Sequence, residues 1–236
     1  MRLRDAFQSP EAKRRYNRRM FHLIADRYDL ITVILSYGMD RRWKRWVVRL
    51  AAVERGERAV DLACGTGDIG QLLTRAGARV IGVDLTFRML QIARLRDVGG
   101  KLRLVAGDMT ALPLSDGYAD VVTAGYGLRN VPALDEALAE IVRVLRPGGR
   151  FVSLDFNRPR SGLLRAAYLA YLTVVGSALG LILHGDPDTY RYIPESLRRY
   201  PEAATVVDTM RSAGFSEAAW LPVLGGLMAI HVARKP

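Results

Sequence analysis

Residues 59–76 constrain the chain most. Ala59, Val60, Asp61 and Leu62 make an apolar run of strand length, and the chain then turns through Cys64-Gly65-Thr66-Gly67-Asp68. Beyond the turn, Ile69, Leu72, Leu73 and Ala76 recur at helical spacing. A strand, a glycine turn and a helix start aim backbone N–H groups at one point, and the missing side chains let a ligand come close. Asp61 stands at the strand's carboxyl end, where open α/β sheets bind their ligands.

The rest of the chain fits an α/β fold. Strands are predicted at Val80–Val83, ending at Asp84, at Leu102–Ala106, ending at Asp108-Met109, at Ala119–Ala124, ending at Gly125-Tyr126, and at Phe151–Leu154. Helical spacing appears over 86–95, 133–145 and 201–213, with Arg146-Pro147-Gly148-Gly149 as a stop signal. Alternation of this kind means parallel βαβ units with right-handed crossovers. Two last strands, about 217–223 and 227–233, joined at Gly225-Gly226, read as an antiparallel hairpin. The 236 residues suffice for one domain, 1–236.

Gly65-x-Gly67-x-x-Gly70 is also the dinucleotide fingerprint, but Asp68 sits where a pyrophosphate would lie, and two anions there repel. Asp61 adds a second negative charge. A cationic, phosphate-free ligand suits the turn better, and S-adenosylmethionine, with its ammonium and sulfonium, has that character. Asp84 follows Gly65 by nineteen residues, the distance at which an acid meets a ribose diol. Asp108 can accept from an adenine amino group while Met109 packs on the ring.

The net charge is +11, and residues 1–50 hold thirteen of the 35 Lys/Arg against five acids. This region, 1–55, reads as a basic helical cover of two helices, 11–27 and about 40–53, with Tyr28-Asp29 and Ser36-Tyr37-Gly38 breaking the pattern between them. Such a charge suits nucleic acid or an anionic membrane surface. Trp43 and Trp46 sit at core spacing on the second helix rather than interleaved with the basic residues, which disfavours nucleic acid. Residues 163–183 are almost wholly apolar, with Arg165 their one charge. That length could span a bilayer. Position and the Gly176…Gly180 pair favour helices packed over a substrate mouth, within an insertion at 158–195, gripping a greasy substrate or dipping into the interface. One cysteine, Cys64, excludes an internal disulfide, and the first twenty residues lack a signal-peptide core, so a cytoplasmic protein, peripheral at the inner face of the membrane, is expected. His22, His184 and His231 have no metal-ligand spacing, so no metal is expected.

The chain resembles the class I S-adenosylmethionine methyltransferases and, within them, the ubiquinone/menaquinone biosynthesis C-methyltransferase family. Asp61 to Asp68 carries the superfamily likeness. The narrower one rests on Phe21-x-x-Ile24-Ala25-x-x-Tyr28-Asp29, Arg42-Trp43-Lys44-Arg45, Gly127-Leu128-Arg129-Asn130-Val131 and Tyr190-Arg191-Tyr192-x-x-Glu195-Ser196. The resemblance implies a Rossmann-like sheet of seven strands, mostly parallel with an antiparallel last strand, helices on both faces, and methylation of a ring carbon on a polyprenylated quinol. By position it puts cofactor contacts on Thr66, Asp84, Asp108, Met109 and Gly125, beside Asp61, Gly65 and Gly67 of the turn. Arg129 and Asn130 become the catalytic pair. Arginine is a poor literal base, so Arg129 is expected to lower the phenol pKa electrostatically. Tyr28, Tyr126, Tyr192 and His231 are expected in the substrate pocket. One departure is Thr32, where the family usually has asparagine. Methylation of another lipid or phenol is the alternative, weighed against by Gly127-Leu-Arg-Asn-Val131. A homodimer remains open.

Overall fold

The computed structural model describes residues 3–236, without the side chain of Arg4. Arg2, counted above in the basic segment, lies outside the described residues, as does the Arg4 side chain.

Three helices come first: α1 (Pro10–Ile24), α2 (Tyr28–Leu35) and α3 (Asp40–Ala51). Ser9 caps α1 by accepting from the Ala12 N–H at 3.1 Å, with Pro10 at the first helical position, where its missing N–H costs nothing. The expected break at Tyr28-Asp29 is instead the first turn of α2. A short 3₁₀ turn at Ala25–Arg27 changes direction, and the run Leu30-Ile31-Thr32-Val33-Ile34-Leu35 continues as helix. Its near-uniform apolarity hid the period from sequence reading.

The alternating part follows: β1 (Arg58–Leu62), α4 (Asp68–Arg75), β2 (Arg79–Asp84), α5 (Phe87–Arg96), β3 (Leu102–Ala106), β4 (Ala119–Gly125), α6 (Leu134–Val144) and β5 (Leu145–Phe156). Arg146 to Gly149 does not separate helix from strand as expected. It is drawn into β5, whose pairing with β4 shifts register between Ala119 and Val121. Next come α7 (Gly162–His184), α8 (Asp188–Arg199), α9 (Ala203–Ser212), β6 (Glu217–Val223) and β7 (Met228–Arg234). The apolar stretch is thus one continuous helix rather than several, and the insertion's second helix runs past 195.

The seven strands lie in the order β3-β2-β1-β4-β5-β7-β6. All neighbours pair parallel except that β7 is antiparallel to both β5 and β6. Order reverses between β1 and β4, so a crevice opens above their carboxyl ends. Strand side chains alternate between faces. Val60 and Leu62 join a core with α6 and α9, and Ala59 joins one with α3, α4 and α7.

Candidate active site

At the β1 end the backbone is held in conformations that side chains rarely adopt. Ala63 has φ 47° and Gly67 φ 89°, and a Cβ on Gly67 would lie 3.2 Å from both Ala93 and Leu102. Left-handed backbone at a non-glycine residue costs on the order of 1 kcal/mol and is kept where surroundings impose it. Asp84 supplies part of that imposition. Its Oδ2 accepts the Gly65 N–H and its Oδ1 the Thr86 N–H, both at 2.8 Å, tying the glycine turn to the end of β2. Burial raises the Asp84 carboxyl above the ordinary range in spite of these bonds.

Asp61 is buried with both oxygens occupied: Gly70 N–H donates at 3.0 Å and the Thr123 hydroxyl at 2.8 Å. Burial lifts its pKa to about 7. Asp68 is not a free anion either. Lys44 lies 2.7 Å from it and 2.7 Å from Asp40. Two carboxylates, Asp40 and Asp68, therefore share one ammonium beside the turn, a polarity still suited to a cationic ligand. Thr66 is buried, and its hydroxyl donates to Asp29 at 2.8 Å. Asp108 accepts from Arg14 Nε at 2.5 Å and from the Thr110 N–H at 2.9 Å. Partial burial opposes its ionisation, but the Thr110 and Arg14 bonds outweigh it and hold the carboxyl below the usual range.

Three cavities meet above the strand ends. The first, about 740 Å³ with its open mouth, is lined by Asp84, Asp108, Met109, Gly125 and Asn130, with Arg14 and Asn17 as its α1 wall. A smaller one, about 310 Å³, is lined by Asp61, Gly65, Thr66, Asp68 and Lys44. Another, about 620 Å³, is walled mainly by apolar side chains of α1, α2 and α8. Tyr28 and Tyr126 line all three. Tyr126 has φ 59°, which turns its ring across the junction, and its hydroxyl donates to buried Asp40 at 2.9 Å. Burial holds the phenols of both up, Tyr28 to about 12 and Tyr126 well above its ordinary value.

Among the described residues lining the apolar cavity, Arg129 is the one charged group. Its backbone N–H and Nε both reach Asp155, at 3.0 and 3.3 Å, and its Nη1 bonds the Ser196 hydroxyl. Both partners are buried, and burial raises the Asp155 carboxyl although Arg129 opposes it. Asn130 donates through Nδ2 to the Tyr126 carbonyl at 2.8 Å and faces both large cavities, its buried Oδ1 without a partner. The Tyr192 hydroxyl and Thr189 Oγ1, also lining the apolar cavity, are likewise buried and unpaired. Such groups cost free energy unless a ligand completes them.

The sequence-predicted residues therefore gather around the cavities, except Gly67 and His231. Asp61, Gly65, Thr66, Asp84, Asp108, Met109 and Gly125 line the first two cavities, and Tyr28, Tyr126, Arg129, Asn130 and Tyr192 the junction and the third. Gly67 stands behind, shaping the turn. His231 is the correction. It points under α9, with Nε2 3.2 Å from the Ala203 carbonyl and Nδ1 3.4 Å from Ser153 Oγ, and lines none of the three cavities. β7 lies two strands from the crevice; its first residue, Met228, lines the apolar cavity, whereas His231, three residues further along, meets core. Sequence reading missed Asp155, Asn17, Arg14 and Asp40. Asp155 had a signal: an acid inside the apolar end of β5, next to β4. Asn17 had another, a polar residue in the stripe that carries Met20 and Ile24.

The geometry fits S-adenosylmethionine: a buried acid at the ribose distance, a left-handed turn needing close approach, excess negative charge where a cation would sit, and unpartnered Asn17 and Asn130 oxygens facing the cavity. Among solved structures, an S-adenosylmethionine-dependent methyltransferase from Thermotoga maritima shares the fold, with TM-score 0.65 at 21% identity, covering 92% of this chain and 100% of that one. The ubiquinone/menaquinone biosynthesis C-methyltransferase UbiE of Azotobacter vinelandii is 38% identical over 92% of this chain and 88% of its own length. The UbiE of Pseudomonas paraeruginosa is 39% identical over the same shares. A model of the ubiE/COQ5 methyltransferase family matches residues 9–235. An S-adenosylmethionine-dependent C-methyltransferase, the chain belongs to the ubiE/COQ5 methyltransferase family.

Proposed function

We propose that the acceptor is a polyprenylated quinol, demethylmenaquinol or its benzoquinol equivalent, and that Arg129 and Asn130 are its catalytic pair. The observation that carries this reading is the apolar cavity whose single charged lining group, Arg129, stands beside the junction with the cofactor cavities. Its walls, Met20, Phe21, Ile24 and Ile31 among them, suit a ring and the start of a greasy tail. Bound S-adenosylmethionine supplies an electrophilic methyl group. Asp84 is positioned for the ribose and Asp108 with Met109 for the adenine, while the space around Asp61, Asp68, Lys44 and Thr66 takes the amino-acid end.

The chain's own part is positioning and charge. A quinol ring carbon becomes a strong nucleophile as a ring hydroxyl gives up its proton, and a guanidinium facing that oxygen lowers the cost of doing so. Asp155 and Ser196 hold the Arg129 fork in one orientation. The unpaired Asn130 Oδ1, Tyr192 hydroxyl and Thr189 Oγ1 offer partners to quinol oxygens. Thr32 lines this cavity, with its hydroxyl turned back to the Tyr28 carbonyl at 2.9 Å, so the departure from the family's asparagine falls where the acceptor is read.

This reading sets the enzyme at the cytoplasmic face of an anionic membrane, where such a substrate resides. The test is turnover of S-adenosylmethionine against demethylmenaquinol and a benzoquinol analogue, with the methylated ring identified by mass. Methyl transfer to at least one quinol is expected. Transfer only to unrelated phenols or lipids overturns the reading.

A further inference from the structure

Helix α2 is apolar on both sides, yet the domain covers only one. Its inner side chains, Ile31, Thr32 and Leu35, line the apolar cavity. Its outer ones, Leu30, Val33 and Ile34, and Tyr37 just beyond, are 52, 39, 38 and 50% exposed. Helix α7 has the same division. Tyr168, Leu172, Gly176 and Gly180 are buried, and a Cβ on Gly176 would meet the Tyr190 carbonyl at 3.2 Å, so this side is packed tightly on α8. On the opposite side Val174 and Ile182 are 68 and 76% exposed. The two helices adjoin: Tyr37 stacks on Tyr171 with centroids 5.6 Å apart, and Arg27 bonds the Leu183 carbonyl. Their outer faces thus form one exposed apolar surface, larger than the scattered apolar residues of an ordinary monomer.

Charge identifies what covers it. Arg27 stands at the start of α2, and exposed Arg41 and Arg42 follow Tyr37 at its other end. Of the nearby acids, Asp26 is paired with Arg88 at 2.6 Å, Asp29 with Arg96 and Asp188 with Arg191, which leaves exposed Asp186 beside the α7 end that Arg27 meets. An apolar strip bracketed by arginines is the pattern of a helix lying in a lipid interface. Although α7 is long and apolar enough to cross a bilayer, its inner side is committed to the domain, so it lies in the plane.

We infer that the joined outer faces of α2 and α7 seat on an anionic phospholipid surface, making α2 the wall between the bilayer and the acceptor cavity. This rests on the quinol reading for the cavity's role, but not for the binding itself. A tail still in the bilayer would then reach the cavity past the ends of α2, with no passage through water.

Vesicle co-sedimentation tests it, with the full chain on phosphatidylcholine alone and with phosphatidylglycerol added. Binding is expected only with the anionic lipid, weakening as salt rises. Leu30→Gln/Val33→Gln/Ile34→Gln, and separately Val174→Gln/Ile182→Gln, should each lower the partition coefficient at least tenfold. Arg41→Gln/Arg42→Gln should remove most of the anionic preference. All are solvent-side changes, so turnover of a short-tailed quinol in vesicle-free buffer should stay within twofold of the parent. Wild-type partitioning by both apolar variants overturns the inference. So does a parent dimer that these variants convert to monomers in light scattering, since a second copy then covers the face. A chain that binds vesicles but methylates no quinol sinks the acceptor reading and leaves this one standing.

Discussion

Arg129 is the residue on which the proposed chemistry turns, and its pairing decides how it must be tested. Truncation to alanine would leave Asp155 buried without its cationic partner, held only by the backbone N–H groups of positions 129 and 156, at about 3–5 kcal/mol. Lost activity would then be confounded with lost folding. Arg129→Lys keeps a charge but not the fork that meets Asp155 and Ser196 together. It is expected to lower kcat about a hundredfold, with KM for S-adenosylmethionine within threefold, in steady-state assays of variants that pass a thermal-melt control. Gly127 is a second residue-scale case. A Cβ there would lie 2.8 Å from Ala63 Cβ and 3.2 Å from Met109 Cε. The Ala63 contact is too short to persist, so the left-handed turn must shift and Met109 give with it, disturbing the proposed adenine slot. Gly127→Ala should weaken cofactor binding by about 1–3 kcal/mol, read by calorimetry.

At the scale of elements, the sequence was most legible where glycine, acid and strand end coincide. Asp61, Asp84, Asp108 and Gly125 each close a strand, and the strand order brings all four to one crevice. Long-range pairing was not legible. Nothing near Asp68 announces Lys44, or near Asp108 announces Arg14, because those partners arrive from helices whose docking depends on tertiary packing. α2 was missed for a related reason: apolar on both sides, it carries no period. His231 shows the opposite failure, a polar residue three places past Met228, where its strand has already left the cavity for the core. Its burial lowers its pKa to about 4. The unfolded chain takes up a proton from about pH 6.5 downward while the folded chain does not until about pH 4, so stability falls as pH drops between them. His231→Gln should flatten that fall. Denaturant titrations at pH 7 and pH 4.5 are expected to show the parent losing roughly 2–3 kcal/mol more than the variant.

At the scale of the whole molecule, the basic excess of the first fifty residues divides between two destinations. Arg15, Arg19 and the arginines of α3 face solvent, whereas Arg14, Arg18 and Lys44 line the cavities and Lys13 turns inward onto backbone carbonyls. Lys13 donates to the carbonyls of Val131 at 2.6 Å and Arg129 at 3.2 Å, and Asn17 to that of Asn130 at 2.6 Å. Burial brings Lys13 down to about 8, with Arg129 adding to the effect and Asp155 opposing it. Net charge from sequence cannot make this division, since inward and outward arginines read alike. Arg14→Gln removes the bond from α1 to Asp108 and should speed release of bound S-adenosylmethionine several-fold in stopped-flow chase experiments.

Because α1 walls the cofactor cavity with Arg14 and Asn17 and the acceptor cavity with Met20 and Ile24, it is a single door for two occupants. Its swinging open would let the spent cofactor and the methylated product leave in the same event. Neither could then be exchanged while the other stays sealed, and the turnover cycle would beat at the pace of one helix.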